Sequence, residues 1–347
     1  MTTWQPDILG DGYQQLSLPL GTDPDGEGPI SATLVRYQPD DVDLPDRAVL
    51  YVHGFTDYFF QQHLAEHFAA QGYRFYALDL RKCGRSRAPE HTPHYVTDLE
   101  FYDSELDQAL RLVRNEVSEG VLLAAHSTGG LVLPLWLDRL QRRPGGTRGA
   151  GVTGLILNSP WFDLQGPSYL RNVGTAAIDI LGRLCPKEAV PGPKLDTYGT
   201  SLLNGGWTYD LDWKPTTGFP IRFGWIRAVR QGHAQLHRGL DIGVPSLILR
   251  SGESRSAPKY DPAIDTVDAV LDVRQIARWA GCLGDRTTIV PIDGARHDVF
   301  LSTPGPLREA FRELDLWLGW LDDHRTGDET AGARADDARP RTTGEHA

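Results

Sequence analysis

The sequence predicts a doubly wound α/β fold, a mostly parallel sheet with helices on both faces. Three observations point there. Short apolar runs rich in Val, Ile, Leu and aromatics recur along the chain, as expected of parallel strands that are covered on both sides. Segments of helical period separate most of them. The alternation persists over most of the 347 residues, whereas an all-α or all-β chain would show one period throughout.

In chain order, residues 13–20 and 30–38 alternate loosely between apolar and polar around the Gly/Asp/Pro-rich stretch 21–29, which reads as a β-hairpin. From Ala48 the strand runs are AVLYV (48–52), RFYALDL (74–80), GVLLAA (120–125), GLILN (154–158), PSLILRS (245–251) and TTIVPI (287–292). Helices are expected over 59–71, 97–118, 130–142, 272–283 and 306–322. Residues 161–240 interrupt this order: they hold Trp161, Trp207, Trp213 and Trp225, much Gly and Pro, and no clear strand. An insertion after a core strand reads as a cap over the strand ends, where open α/β sheets bind their ligands. Residues 323–347 contain no large apolar side chain and read as a disordered tail. The expected division is therefore a core of 1–160 and 241–322, a cap of 161–240 and a tail.

Charge and composition narrow the function. Lys plus Arg is 35 against 46 for Asp plus Glu, a net charge of −11, which opposes a nucleic-acid partner because phosphate contacts need a basic face. Three widely spaced cysteines (Cys83, Cys185, Cys282) indicate neither a disulfide framework nor a zinc cluster. No run approaches the ~20 apolar residues of a membrane span, so no integral membrane association is expected. The start MTTWQPDILGDG has neither the basic nor the apolar region of a signal peptide. A soluble, cytoplasmic protein is expected; the sequence carries no sign of its oligomeric state.

The strongest chemical signal is GVLLAAHSTGG (120–130), a strand running into a tight turn and then an apolar helix. A nucleophile on such a turn needs small residues two positions to either side, because the backbone there is strained and closely packed. Ser127 has Ala125 and Gly129. The common pattern is Gly-x-Ser-x-Gly, so Ala125 departs from it with the next smallest residue. A second signal is LYVHGF (50–55), a strand ending in His-Gly-aromatic. A third is GARHDVF (294–300), which carries His297 in a glycine-containing loop between the last strand and the last helix. A serine nucleophile, a later acid and a final histidine are in the order Ser…acid…His.

With these motifs the chain resembles the α/β-hydrolases of the monoacylglycerol lipase and serine aminopeptidase type. LYVHGF, HLAEHFAAQGYRFYALDLRKCGRS, AHSTGG and GARHDVF carry the resemblance, with Lys82 standing where the family's Asp-x-Arg-Gly-x-Gly-Arg-Ser loop has its first glycine. It implies a cap between the sixth and seventh strands, which fits 161–240, although the cap's own sequence matches nothing. It also implies Ser127 as nucleophile, His297 as base, and the N–H groups of Phe55 and Thr128 as the oxyanion hole. No cofactor or metal is called for. The acid lies beyond PSLILRS, where Asp261, Asp265, Asp268 and Asp272 are available. The resemblance favours Asp268, because DAVLD looks like the family's Asp-x-Val-x-Asp, with Asp272 left to cap the next helix.

The expected activity is hydrolysis of a small-molecule carboxylic ester, lipid-derived esters included, through an acyl-enzyme. Three rivals stand beside it. A serine aminopeptidase or amidase would use the same residues. A hydrolase fold can persist as a binding module. His63, Glu66 and His67 satisfy the His-x-x-Glu-His spacing of some zinc peptidases, against the plainer reading of two surface histidines on the first helix.

Overall fold

The computed structural model describes residues 3–39, 45–164, 178–192 and 196–337, with side chains through His324. Its centre is a nine-stranded sheet in the order β1-β2-β3-β5-β4-β6-β7-β8-β9. β2 (Tyr13–Thr22) and β3 (Pro29–Tyr37) form the expected antiparallel hairpin, and β3 joins β5 (Arg74–Asp79) antiparallel. From β5 through β4 (Arg47–Val52), β6 (Gly120–His126), β7 (Val152–Asn158), β8 (Ser246–Ser251) and β9 (Thr287–Ile292), every pairing is parallel. A two-residue edge strand, β1 (Gln5–Pro6), is too short to show any alternation in sequence. With it included, residues 161–240 fall between the seventh and eighth strands.

Alternation along each strand divides the core between the two faces. Ala48, Leu50, Val52, Leu123 and Ala125 point to one side, packed with α2 (Asp103–Arg114) and α3 (Gly129–Gln141). Val49, Tyr51, Leu122 and Ala124 point to the other, against α1 (Gln62–Ala70) and the last helix. Both faces are covered, which is why these strands read as continuous apolar runs. A short α4 (Gly146–Gly149) follows α3. Within the insertion, the described residues form α5 (Thr197–Asn204) and α6 (Phe223–Leu236), and none joins the sheet. The expected helix at 272–283 is α7 (Val273–Trp279) followed by a 3₁₀ turn. The last helix, α8, spans Pro304–Asp337 and so continues past residue 323, where the sequence places the start of a disordered tail. Ala, Glu and Arg are good helix formers and no proline lies between Pro306 and Pro340, so the helix runs on although Gly327 and Gly332 weaken it. Residues 338–347 lie outside the described residues.

Lys82, the departure from the family's glycine, keeps the backbone that a glycine would adopt. Its φ is +59°, a left-handed conformation that side chains seldom take. Its ammonium, wholly buried, bonds Asp23 Oδ2 at 2.6 Å and Glu27 Oε2 at 3.1 Å. These bonds to the hairpin loop offset the local strain.

Candidate active site

Sheet geometry assembles the site at the C-terminal ends of the parallel strands. β6 ends at His126 and α3 begins at Gly129, so Ser127 sits on a turn sharp enough to force its φ to +51°. The turn is braced from β7, since Ser127 N–H donates to the Asn158 carbonyl at 3.0 Å. Its close packing explains the small neighbours. A Cβ on Gly129 would stand 2.5 Å from the His53 carbonyl oxygen, and one on Gly54 would stand 2.9 Å from Ser127 Cβ. Ala125 is fully buried and is accommodated.

His297, in the loop after β9, meets Ser127 from the side. Its Nε2 lies 3.0 Å from Ser127 Oγ and its Nδ1 lies 2.9 Å from Asp268 Oδ2. The other Asp268 oxygen, Oδ1, accepts from the N–H groups of Val270 at 2.8 Å and Leu271 at 2.7 Å, which fixes the carboxylate's orientation. Asp268 reaches this place although it lies well beyond β8. Its N–H donates to the Glu253 carbonyl and its carbonyl accepts from Arg255 N–H, so residues 256–267 leave and return as a closed excursion. The other candidate acids have local tasks. Asp261 caps the 3₁₀ turn Pro262–Thr266, and Asp272 caps α7. Asp265 accepts from Ser201 Oγ and Tyr260 Oη.

The amides of Phe55 and Thr128 flank Ser127, one from the loop after β4 and one at the start of α3. Among the described residues neither donates to a protein acceptor. The Phe55 ring is held against Trp225, with centroids 4.1 Å apart. A cavity of about 560 Å³ opens above Ser127 and His297, walled by Phe55, Trp161, Phe219, Trp225 and Leu271. The wall is largely apolar, so an acyl chain or aromatic group would lose little on entering it.

Several buried polar groups support this floor, and sequence reasoning did not single them out. The Asp298 carboxylate accepts from Asn158 Nδ2 at 2.6 Å, Gln61 Nε2 at 3.2 Å and Phe300 N–H at 3.0 Å. Burial works against its charge, but neighbouring His126 and these donors hold its pKa below the ordinary carboxylate value. His126 packs 4.8 Å from the His297 ring, and burial pulls its pKa down to about 4. His233 of α6, bonded to the Trp161 carbonyl at 2.9 Å, is likewise pulled by burial to about 4. No motif marks these residues, because their partners are distant in sequence.

The two histidines give a pH prediction. Each is held neutral in the fold, so the unfolded chain binds protons more readily below pH ~6.5. Their stability contribution is complete above pH ~6.5 and is lost as pH falls toward 4, by up to about 3 kcal/mol each. Urea midpoints should therefore drop steadily between pH 6.5 and 4, and His233→Asn should flatten that slope. An unchanged slope in His233→Asn would remove this residue from the acid response.

The His63, Glu66 and His67 spacing does not gather into a metal site. His63 Nε2 lies 2.7 Å from the Phe300 carbonyl oxygen and His67 Nε2 lies 2.7 Å from Asp315 Oδ1, both on α8's side of the sheet. Among the described residues, no three His, Cys, Asp or Glu side chains are grouped to hold a metal ion. Cys83 is buried with its Sγ 3.1 Å from His94 Nδ1, and burial raises its pKa well above the usual thiol value, consistent with a packed residue. No helix among the described residues is long and apolar enough to cross a membrane.

Comparison with known proteins agrees with this architecture. No curated protein sequence matches the chain. A soluble variant of monoglyceride lipase from Saccharomyces cerevisiae, solved with a substrate analog, superposes with a TM-score of 0.59 at 17% identity, covering 93% of this chain and 95% of that one. The monoacylglycerol lipase of Paleococcus ferrophilus gives 0.58 at 19% identity, with 90% and 99% covered. At such identities the likeness is one of fold. The family model for serine aminopeptidase S33 matches residues 43–302, well over half of the chain. The chain belongs to the serine aminopeptidase S33 family and has an α/β-hydrolase fold.

Proposed function

We propose that the chain hydrolyses carboxylic esters of small molecules, acyl-glycerol types included, with Ser127 as nucleophile, His297 as general base and Asp268 as the orienting acid. The observation that carries this reading is the continuous hydrogen-bonded chain Ser127 Oγ–His297 Nε2 and His297 Nδ1–Asp268 Oδ2, at 3.0 and 2.9 Å, on the floor of an apolar cavity. Ser127 Oγ attacks the ester carbonyl carbon while its proton passes to His297 Nε2. Negative charge gathers on the former carbonyl oxygen, where the N–H groups of Phe55 and Thr128 and the N-terminal end of α3 would receive it. Collapse expels the alkoxide, which takes the proton from His297. Water then repeats the sequence on the acyl-enzyme and restores Ser127. In this reading residues 161–240 form the cap that excludes bulk water, and residues 1–160 and 241–322 form the core.

A second reading, a serine aminopeptidase or amidase, has the family match in its favour. The deciding experiment screens the full-length protein against acyl esters of increasing chain length and amino-acid arylamides, alongside labelling by a fluorophosphonate. Ester turnover with labelling supports the first reading, and turnover of arylamides alone supports the second. Neither turnover nor labelling would reject both.

A further inference from the structure

We propose that Lys214 sets the charge preference of the pocket: it neutralises Asp57, so the site takes neutral substrates and rejects those bearing an ammonium group. This rests on the hydrolase reading for the identity of the pocket, and it goes further by naming the substrate class that enters.

Asp57 lies in the loop after β4, two residues beyond Phe55, and is buried beneath the cavity. Its Oδ1 accepts from Lys214 Nζ at 2.7 Å, while Oδ2 has no hydrogen-bond partner. Among the described residues that line the cavity, Asp57 is the only carboxylate and Lys214 the only lysine or arginine. The pair therefore balances to zero net charge. Asp268 and Asp298 are committed to partners of their own.

Lys214 cannot swing away freely. It belongs to the segment between α5 and α6, which is held to three consecutive residues of the core loop. Phe219 N–H donates to Thr56 Oγ1 at 3.0 Å, Lys214 itself bonds Asp57, and Asp210 N–H donates to Tyr58 Oη at 2.7 Å. The ammonium also sits 5.6 Å from the Phe60 ring centroid and 5.8 Å from that of Tyr209. A substrate cation would thus meet a fixed cation, and the carboxylate it needs is already paired. Because Asp57 and Lys214 are buried, both effects count against it. A neutral ester meets the same apolar walls with no such penalty.

The test separates binding from catalysis. Butyrylcholine and its neutral isostere 3,3-dimethylbutyl butyrate differ only in charge. Their binding to full-length Ser127→Ala protein is measured by calorimetry, and their turnover is measured with the parent. The neutral ester should bind at least about tenfold tighter. Adding Lys214→Met should shift the cation-to-neutral ratio toward the cation by about tenfold or more, because Asp57 is then uncompensated. Asp57→Asn should shift it the other way, which keeps the test open if Lys214→Met does not fold. Equal binding of the two esters, or a ratio that neither substitution moves, would overturn the proposal. Binding ratios that shift as expected in a parent without turnover would uphold the charge preference while rejecting the hydrolase reading.

Discussion

Ser127→Ala is expected to lower ester turnover by roughly 10⁴-fold or more and to abolish fluorophosphonate labelling, while the protein still folds. The chemical loss is complete because no other hydroxyl lies within hydrogen-bond reach of His297 Nε2 among the described contacts. The structural loss is small. Ser127 Oγ contributes one hydrogen bond, and the turn is built by Gly129, Gly54 and the Ser127 N–H bond to Asn158, all of which remain. Alanine also takes the left-handed conformation at a cost close to that of serine, so stability should change by about 1 kcal/mol or less. Kinetics and a melting curve on the same preparation check both halves. Labelling that persists in the variant would mean that the nucleophile lies elsewhere.

The second large effect concerns the acid. Asp268→Asn should lower kcat by roughly 10⁴-fold with little change in melting temperature. The amide keeps an oxygen for the Val270 and Leu271 N–H groups, so the local turn survives. Its NH₂ would then face His297 Nδ1, and that nitrogen must accept rather than donate. The imidazole is driven to the tautomer that carries its proton on Nε2, where it cannot take one from Ser127. Asp261→Asn and Asp272→Asn should keep near-parental rates. Both side chains cap short helices, and asparagine caps about as well, so the stability cost should stay within about 1 kcal/mol. The Arg274 partner of Asp272 is exposed and adds little. Parallel rates and melting curves of the three variants decide the matter. A collapse in Asp261→Asn or Asp272→Asn with Asp268→Asn active would move the acid.

The strands were legible because each is decided within a few residues. A run such as GVLLAAH is apolar on both sides, and the sheet has helices on both faces to receive it. The order of the strands was not legible in the same way. That β5 lies outside β4 while β6 lies on its other flank is a matter of crossover geometry, which the local sequence pattern does not carry.

The site divides along the same line. Ser127 was readable because a strand, a strained turn and a helix N-terminus are consecutive in the chain, and crowding there restricts the neighbours to small residues. His297 was readable from its place between the last strand and the last helix. Asp268 was one of four aspartates, since a surface excursion can lengthen at slight entropic cost and so spacing stops being informative. Only the folded chain returns residues 256–267 to Glu253 and Arg255 and delivers Asp268 to His297. Asp57 and Lys214 are 157 positions apart, and Asn158 and Asp298 are 140 apart. The sequence by itself determined the α/β class, the hairpin and the two ends of the Ser127–His297 contact, because these depend on local period, crowding and chain order. The resemblance favoured Asp268 among the aspartates, but only the tertiary structure brings it to the histidine and sets which charges face the pocket, because a buried charge is placed by partners that the chain brings together only when it folds.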